Sequence, residues 1–485
     1  MKRRELIKMG FPDGAVVKAA MAACAAASAA GKKNEAIRAA LRSVSEDPRL
    51  FADDPLYGEL ARKLEEVRVR RAGAGSSGAA ARRNGALDYA CWGDEIDEAA
   101  HEQMRNACKL PVAVGAALMP DAHVGYGLPI GGVLATEEAV IPYAVGVDIA
   151  CRMMMTVYDA DAVRLGRDRD RFEQILNRET LFGVGGSWSK RREKRPEHPV
   201  MDEDWSVTPL TSHLKDTAWD QLGTSGSGNH FVEFGEFELL EARDDMPALE
   251  PGKKYIAVLS HSGSRGPGAQ ICAHYSKAAR ELHPELSREL SYLAWLPLSG
   301  EKGYLGQEYW AAMELMGKFA SANHHVIHRK IERAMKSADA TPVLRVENHH
   351  NFAWKERHFG RDVIVHRKGA TPAGKGVLGL IPGSMAQAGY LVEGLGEPLS
   401  MDSASHGAGR RLSRTKARET ARWSHLRALL GERGVHLISA GLDEAPHAYK
   451  DLEKVLEAQK ELVRKTGKFT PRIVKMAPEG EKAED

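Results

Sequence analysis

Two periodicities divide the chain. Near the N-terminus, apolar residues return every three to four positions, in Glu35-Ala-Ile-Arg-Ala-Ala-Leu-Arg42 and again over residues 57–69, the spacing of one buried helix face. Beyond Tyr89 the pattern changes to short β-branched runs between glycine-rich turns, and strands are predicted at residues 130–134, 144–149, 255–259 and 363–366. Longer helical patterns lie between them, at residues 309–337 and 413–431. Strands and helices mix without a regular βαβ rhythm, so an α+β fold is expected rather than a doubly wound sheet. A single large domain built on β-sheets with flanking helices is expected over residues 86–478. A small helical N-terminal extension, residues 1–85, precedes it and ends in the Gly/Ser linker signal of residues 71–78. Residues 479–485 read as a disordered tail.

Composition then removes several classes. Lys and Arg total 68 against 66 for Asp and Glu, a net charge of +2, so any grip on a polyanion must come from a local basic patch. The run Ser189-Lys-Arg-Arg-Glu-Lys-Arg195 is one such patch, most simply a solvated loop. Five cysteines, Cys24, Cys91, Cys108, Cys151 and Cys272, are odd in number and form no CxxC pair. That pattern suits a reducing, cytoplasmic setting without a disulfide framework or zinc ribbon. The most apolar early run, residues 19–30, falls short of the roughly 20 residues of a membrane span, and no membrane association is expected.

Four segments far apart in sequence each place a metal-ligand type beside Gly or Asn. Gly146-Val-Asp148-Ile-Ala-Cys151 sets a carboxylate and a thiol three residues apart, where both can reach one ion and a thiolate can bridge two; a structural Cys beside a turn Asp explains it equally well. In Gly226-Ser-Gly-Asn-His230-Phe-Val-Glu233, two glycines let backbone approach a phosphate, and Asn229, His230 and Glu233 follow as donor, ligand and acceptor. Ser260-His261-Ser-Gly-Ser-Arg265-Gly266 follows an apolar strand and suits an anion site near a metal. The fourth is Glu347-Asn-His349-His350-Asn351. A lone histidine is more often a satisfied core residue, but Cys, Asp and several His together are what a transition-metal site needs.

A fifth segment, Ser405-His406-Gly-Ala-Gly-Arg410-Arg-Leu-Ser-Arg414, sets a histidine among small residues with two arginines spaced to meet phosphate oxygens. A neutral imidazole nitrogen there can attack a nucleotide α-phosphorus and form a phosphoramidate, with the arginines stabilising the developing charge. By itself the segment is as well explained by an anion loop with an incidental histidine. Tyr449 offers an aromatic surface for a base, or plain packing.

In chain order these segments resemble the RtcB family of RNA ligases. The likeness runs from Met119-Pro-Asp-Ala-His-Val-Gly-Tyr-Gly-Leu-Pro-Ile-Gly-Gly132 through the Asp148/Cys151 segment, Gly223–Phe231, His261–Gly266, His350-Asn351, His366–Thr371 and Pro382–Met385 to His406–Arg410, over about residues 88–476. The resemblance implies an RtcB-like catalytic domain with two manganese ions: Cys151 bridging, His261 and His350 on one ion, Asp148 and His230 on the other. It makes His406 the guanylylated nucleophile and places Asn229, Phe231, Glu233, Ser384, Ala408, Gly409 and Tyr449 around GMP. Lys475 would contact guanine, and Arg265, Arg410 and Arg414 would hold RNA phosphates. The implied reaction uses GTP and Mn2+ to join RNA 3′-phosphate or 2′,3′-cyclic phosphate ends to 5′-hydroxyl ends. It passes through a guanylylated histidine and an RNA-3′-pp-G intermediate, in tRNA splicing or RNA repair, and a monomer is expected. Ligand softness alone would put zinc ahead of manganese for a Cys with three His, whereas chemistry that needs labile positions for GTP and RNA oxygens favours manganese.

Two other readings stay open on the residues alone: a metal-dependent 2′,3′-cyclic phosphodiesterase that does not ligate, and a non-catalytic RNA- or ribosome-binding homologue. The N-terminal extension and a charged stretch over residues 159–222 exceed what a minimal member of that family carries.

Overall fold

After residue 86 the alternation of β-branched runs and glycine turns resolves into two main sheets. The computed structural model describes residues 5–6, 9, 11, 15–46, 48–52, 54–64, 82–83, 86–191, 194–335 and 340–481. The chain forms two compact units, Met1–Ala79 and Ala80–Asp485. In the first, helices Ala15–Ala29 and Asn34–Glu46 and helical residues 58–64 bury Val16, Ala20, Ala27, Leu41, Val44 and Leu60 together. The apolar run at residues 19–30 thus lies mostly inside a packed helix. The predicted linker at residues 71–78 lies outside the described residues.

In the second unit an eight-stranded sheet runs in the order Pro342–His349, Arg152–Asp161, Lys254–Ser262, Phe231–Leu239, Val463–Met476, Gly389–Gly394, Leu378–Ile381. Its eighth strand, His436–Ser439, lies parallel to Val463–Met476. A five-stranded sheet runs Asn351–His358, Arg361–Lys368, Ile130–Thr136, Ala113–His123, Ala90–Cys91. The α+β reading therefore holds. The 33-residue helix Gly303–Met335 packs Ile327, Ile331 and Met335 against Val232, Phe234, Ile256 and Val258 of the larger sheet, which is why its apolar pattern is so long.

Two predicted elements differ. Residues 144–149 do not form a strand. Pro142 starts a short helix, Pro142–Val145, and Gly146 at φ +106° turns the chain into a buried loop that reaches the strand only at Arg152. The helix expected over residues 413–431 is two, Arg414–Thr420 and Trp423–Glu432. The backbone is extended at Ala421 and Arg422, and Ala421 is buried against Leu426, Leu430 and Met385.

The strand Pro342–His349 belongs to the larger sheet and Asn351–His358 to the smaller, so the chain crosses between sheets at His350. There His350 N–H donates to the Cys151 carbonyl (3.0 Å) and Ala370 N–H to the His350 carbonyl (3.3 Å). Sequence-distant strand ends converge at this crossing.

Candidate active site

The ligand-type residues sit on loops and strand ends facing the crossing. His261 occupies the last turn of pleat in Lys254–Ser262, in register with Met153 on one side and Phe231 on the other, which brings Cys151 and His230 beside it. Cys151 Sγ lies 3.1 Å from His261 Nε2 and 3.4 Å from His230 Nε2. His230 Nε2 is 3.1 Å from Asp148 Oδ2, and His261 Nε2 is 3.2 Å from His350 Nε2. His261 Nδ1–H donates to the Asn229 carbonyl (3.2 Å), which leaves Nε2 a lone pair aimed into the cluster.

Charge is arranged to keep these groups in ligand form. Burial pushes His261 down to about 3, with His230 adding to the effect, and burial likewise holds His350 well below its ordinary value, so both rings are neutral. Burial alone would raise Asp148, but the hydrogen bond with His230 and the nearby Arg265 guanidinium outweigh it and hold the carboxylate well below the usual range. Ser264 N–H also donates to Asp148 Oδ1 (3.0 Å). A thiol and two imidazole nitrogens, all within 4.8 Å of one another, are a donor set that fits a divalent transition ion, with Asp148 and His350 placed to share in holding it.

The loops behind the cluster are tied together from the long helix. Asn323, fully buried, accepts from Gly223 N–H (2.8 Å) and donates to the Gly263 carbonyl (2.8 Å), so one side chain holds both the loop leading to His230 and the turn after His261.

His406 lies beside the cluster, its ring centroid 4.8 Å from that of His350. His406 Nδ1 is 2.7 Å from Asp121 Oδ2, and Asp121 is completely buried. The carboxylate accepts from Nδ1–H and so fixes the tautomer that leaves Nε2 as the unprotonated nitrogen. Asp121 is held in turn by Lys450, whose ammonium donates to the Pro120 (3.1 Å) and Ala122 (2.9 Å) carbonyls on either side. Gly409, at φ +74°, passes so close that a Cβ there would stand 2.0 Å from the Asp121 carbonyl oxygen, so no other residue fits.

Further along the cleft a buried acidic pair, Asp443 and Glu444, receives the arginines. Arg410 reaches Glu444 at 3.4 Å and stacks over the Tyr449 ring at 5.2 Å; Arg414 reaches Asp443 at 2.9 Å and also contacts Glu444. The Tyr449 hydroxyl donates to Glu444. Glu233 lies buried in the cleft wall, and burial pushes its carboxyl well above the ordinary range.

One cavity of about 660 Å³ joins these groups. Asp148, Cys151, Asn229, His230, Phe231, Glu233, His261, His350, Ser384, His406, Ala408, Gly409, Arg410, Arg414 and Tyr449 all line it. Two expected residues do not. Arg265 is buried behind His230, its Nη1 3.1 Å from His230 Nδ1, where it touches that imidazole rather than the open cleft. Lys475 lies between Val474 and Met476, which face the cavity, and strand alternation sends its side chain the other way, to the Leu176 carbonyl at 3.1 Å. Asp121, Lys450, Glu444 and Asn323 went unassigned in the sequence. Asp121 lies inside the Met119–Gly132 segment, but nothing local showed that it would meet His406, 285 positions away.

An α+β protein with a converging thiol, imidazole and carboxylate cluster beside an imidazole bonded to a buried carboxylate has the donor set of a candidate metal centre lining a cavity. The chain belongs to the RtcB family: the family described as tRNA-splicing ligase RtcB matches residues 103–208 and 203–476. It is 32% identical over 396 residues to the RNA-splicing ligase RtcB of Escherichia coli K12, covering 76% of this chain and 92% of that one. It is 29% identical over 453 residues to the tRNA-splicing ligase RtcB of Methanococcus maripaludis, covering 80% and 92%. With the RNA-splicing ligase RtcB of Mycobacterium tuberculosis it shares 32% over 434 residues, covering 76% and 98%. No helix among the described residues is long and apolar enough to cross a membrane.

Proposed function

We propose that this chain is an RNA ligase that uses GTP and manganese to join RNA 3′-phosphate or 2′,3′-cyclic phosphate ends to 5′-hydroxyl ends, with His406 as the nucleophile. The observation that carries this reading is the Asp121–His406 hydrogen bond beside the ligand cluster, which presents Nε2 as a nucleophilic lone pair. His406 Nε2 forms a bond to the α-phosphorus of GTP as the α–β bridging bond breaks, and pyrophosphate leaves with the electron pair. The imidazole then carries positive charge, which the buried Asp121 carboxylate offsets. A 2′,3′-cyclic phosphate end is first opened by water, whose oxygen bonds to phosphorus as the P–O2′ bond breaks and the 2′-oxygen takes a proton. An oxygen of the resulting 3′-phosphate then takes the guanylyl group from nitrogen, giving RNA-3′-pp-G. The 5′-hydroxyl finally attacks the RNA phosphorus and expels GMP.

Two manganese ions held by Asp148, Cys151, His230, His261 and His350 would supply Lewis-acid stabilisation of phosphate oxygens. Asn229, Phe231, Glu233, Ser384, Ala408, Gly409 and Tyr449 line the part of the cleft assigned to GMP, and Arg410 and Arg414 are assigned to phosphates there. Arg265 acts through His230, and Lys475 reaches guanine only by leaving its carbonyl partners. Residues 86–478 form the catalytic domain in this reading, and residues 1–85 an appended module. The five cysteines, which form no disulfide among the described residues, accord with work in the reducing cytoplasm, in tRNA processing or RNA repair.

The test is incubation with Mn2+ and GTP labelled at the α-phosphate, with the His406→Ala variant alongside. An acid-labile, alkali-stable label on the wild type alone is the expected result. No label on protein with manganese bound would overturn the mechanism and turn attention to the phosphodiesterase or the non-catalytic homologue.

A further inference from the structure

The cleft has a second aromatic feature that none of the reactive chemistry uses. Residues 124–127 form a lip on which Val124 is 51% and Tyr126 62% exposed, although both line the cavity. Exposed apolar side chains on a loop are ordinarily mobile, but this loop is pinned through its backbone. Gln103 accepts from Gly125 N–H (3.0 Å) and donates to the Gly125 carbonyl (2.5 Å). Lys368, whose neighbour Gly369 packs beside His406, donates to the Tyr126 carbonyl (2.5 Å). Gly127, at φ +72°, lies so close to Tyr292 that a Cβ would stand 2.9 Å from its carbonyl oxygen. The Tyr126 ring rests against Tyr292 (centroids 5.5 Å apart), and Tyr292 meets Tyr143 edge-on at 4.8 Å. Three backbone hydrogen bonds and an aromatic buttress thus hold one ring face toward solvent at the mouth of a phosphate-chemistry cleft.

We propose that Tyr126, backed by Tyr292 and flanked by Val124, is a stacking platform for an unpaired base of the RNA end that enters the cleft. An aromatic face binds any base without reading its sequence, because every base has a π-face. A rigidly mounted ring loses little conformational freedom when the base arrives, so more of the stacking energy appears as affinity. The platform is separate from Tyr449, whose ring carries the Arg410 guanidinium over one face and whose hydroxyl donates to Glu444; the two tyrosines share no partner among the contacts described. That separation suits one aromatic for the guanine of GTP and another for the substrate strand. The inference rests on the ligase reading.

The experiment measures RNA binding by fluorescence anisotropy and ligation kinetics for the wild type, Tyr126→Phe and Tyr126→Ala. The probes are single-stranded RNAs with a 3′-phosphate or a 5′-hydroxyl, each also made with an abasic terminal nucleotide. Tyr126→Ala is expected to weaken binding and raise KM about 10-fold, and Tyr126→Phe to keep the wild-type values. The abasic end should cost the wild type the same factor and cost Tyr126→Ala nothing more, because the two changes remove one contact. If Tyr126→Ala binds and ligates as the wild type does, or the abasic penalty persists unchanged in it for both ends, the platform is wrong while the ligase reading stands. If the wild type neither binds nor joins the RNAs, the ligase reading fails and the platform falls with it. Tyr126→Leu, measured in parallel with its melting temperature, separates lost stacking from a disturbed lip: an apolar but non-aromatic residue should restore folding without restoring affinity.

Discussion

On opposite faces of one strand, Lys254–Ser262, lie two sets of buried imidazoles with opposite chemistry. On the face of Ser260, His328 and His324 of the long helix form a closed relay. Thr156 O–H donates to His328 Nδ1 (2.8 Å), His328 Nε2–H to Ser260 Oγ (2.8 Å), Ser260 O–H to His324 Nδ1 (2.6 Å), and His324 Nε2–H to the Ser262 carbonyl (3.1 Å). Each nitrogen has one oxygen partner and every proton has a place. On the face of His261, nitrogen meets nitrogen and sulfur, and the His350 Nδ1 is buried without a partner among the described residues. The first set is complete as it stands; the second has the donors a cation would complete. Being a buried histidine is therefore no sign of function. The partner's element type decides.

Four measurements sharpen or break this contrast. Cys151→Ala or His261→Ala should lower Mn2+ affinity at least about 100-fold, more than loss of an outer partner does, as read by calorimetric titration. Retained affinity would dissolve the distinction between the two faces. His328→Ala should do the reverse, costing about 2–4 kcal/mol of stability in denaturant unfolding by taking from the Thr156 hydroxyl its acceptor and from Ser260 Oγ its donor beside a cavity, with Mn2+ affinity unchanged. Asn323→Ala, which unties Gly223 from Gly263, should weaken Mn2+ binding about 10-fold, and the visible spectrum of the Co2+-loaded protein should shift; a purely structural role would lower the melting temperature and leave that spectrum alone.

The smallest effect is on pH. Burial pushes His328 from 6.5 to about 3 in the folded chain. Acid then favours the unfolded chain, which takes up the proton first. The His328 contribution is full above pH 6.5 and is lost as the pH falls toward 3, by about 1.4 kcal/mol per pH unit. Unfolding at pH 7 and 5.5 should show a steeper loss for the wild type than for His328→Gln, and equal slopes would contradict the buried, neutral state.

The site was legible where chemistry repeats in local words. Asp148, Cys151, His230, His261, His350 and His406 each stand in a short segment beside Gly or Asn, and all six line one cavity. Legibility failed where a role depends on which way a strand faces or on a partner hundreds of residues away. Lys475 was placed by its position near the end of the matched segment, yet alternation along Val463–Met476 turns it from the cavity that Val474 and Met476 face. Arg265 and Arg414 look alike in sequence as arginines after glycine-bearing turns; one is packed under His230, the other on a buried acidic pair. The run at residues 144–149 has strand composition, but Pro142 and Gly146 impose a turn that composition does not weigh.

By itself the sequence determined the α+β class and the family, because periodicity and residue spacing are local quantities that one chain carries in full. Tertiary structure alone decided that Asp121 sets the His406 tautomer, that Asn323 joins two ligand loops, and which of the buried histidines face sulfur and nitrogen rather than oxygen. Those facts depend on strand register and on crossings between sheets, where a one-residue slip would exchange His261 for Ser260 and turn that imidazole away from the cavity.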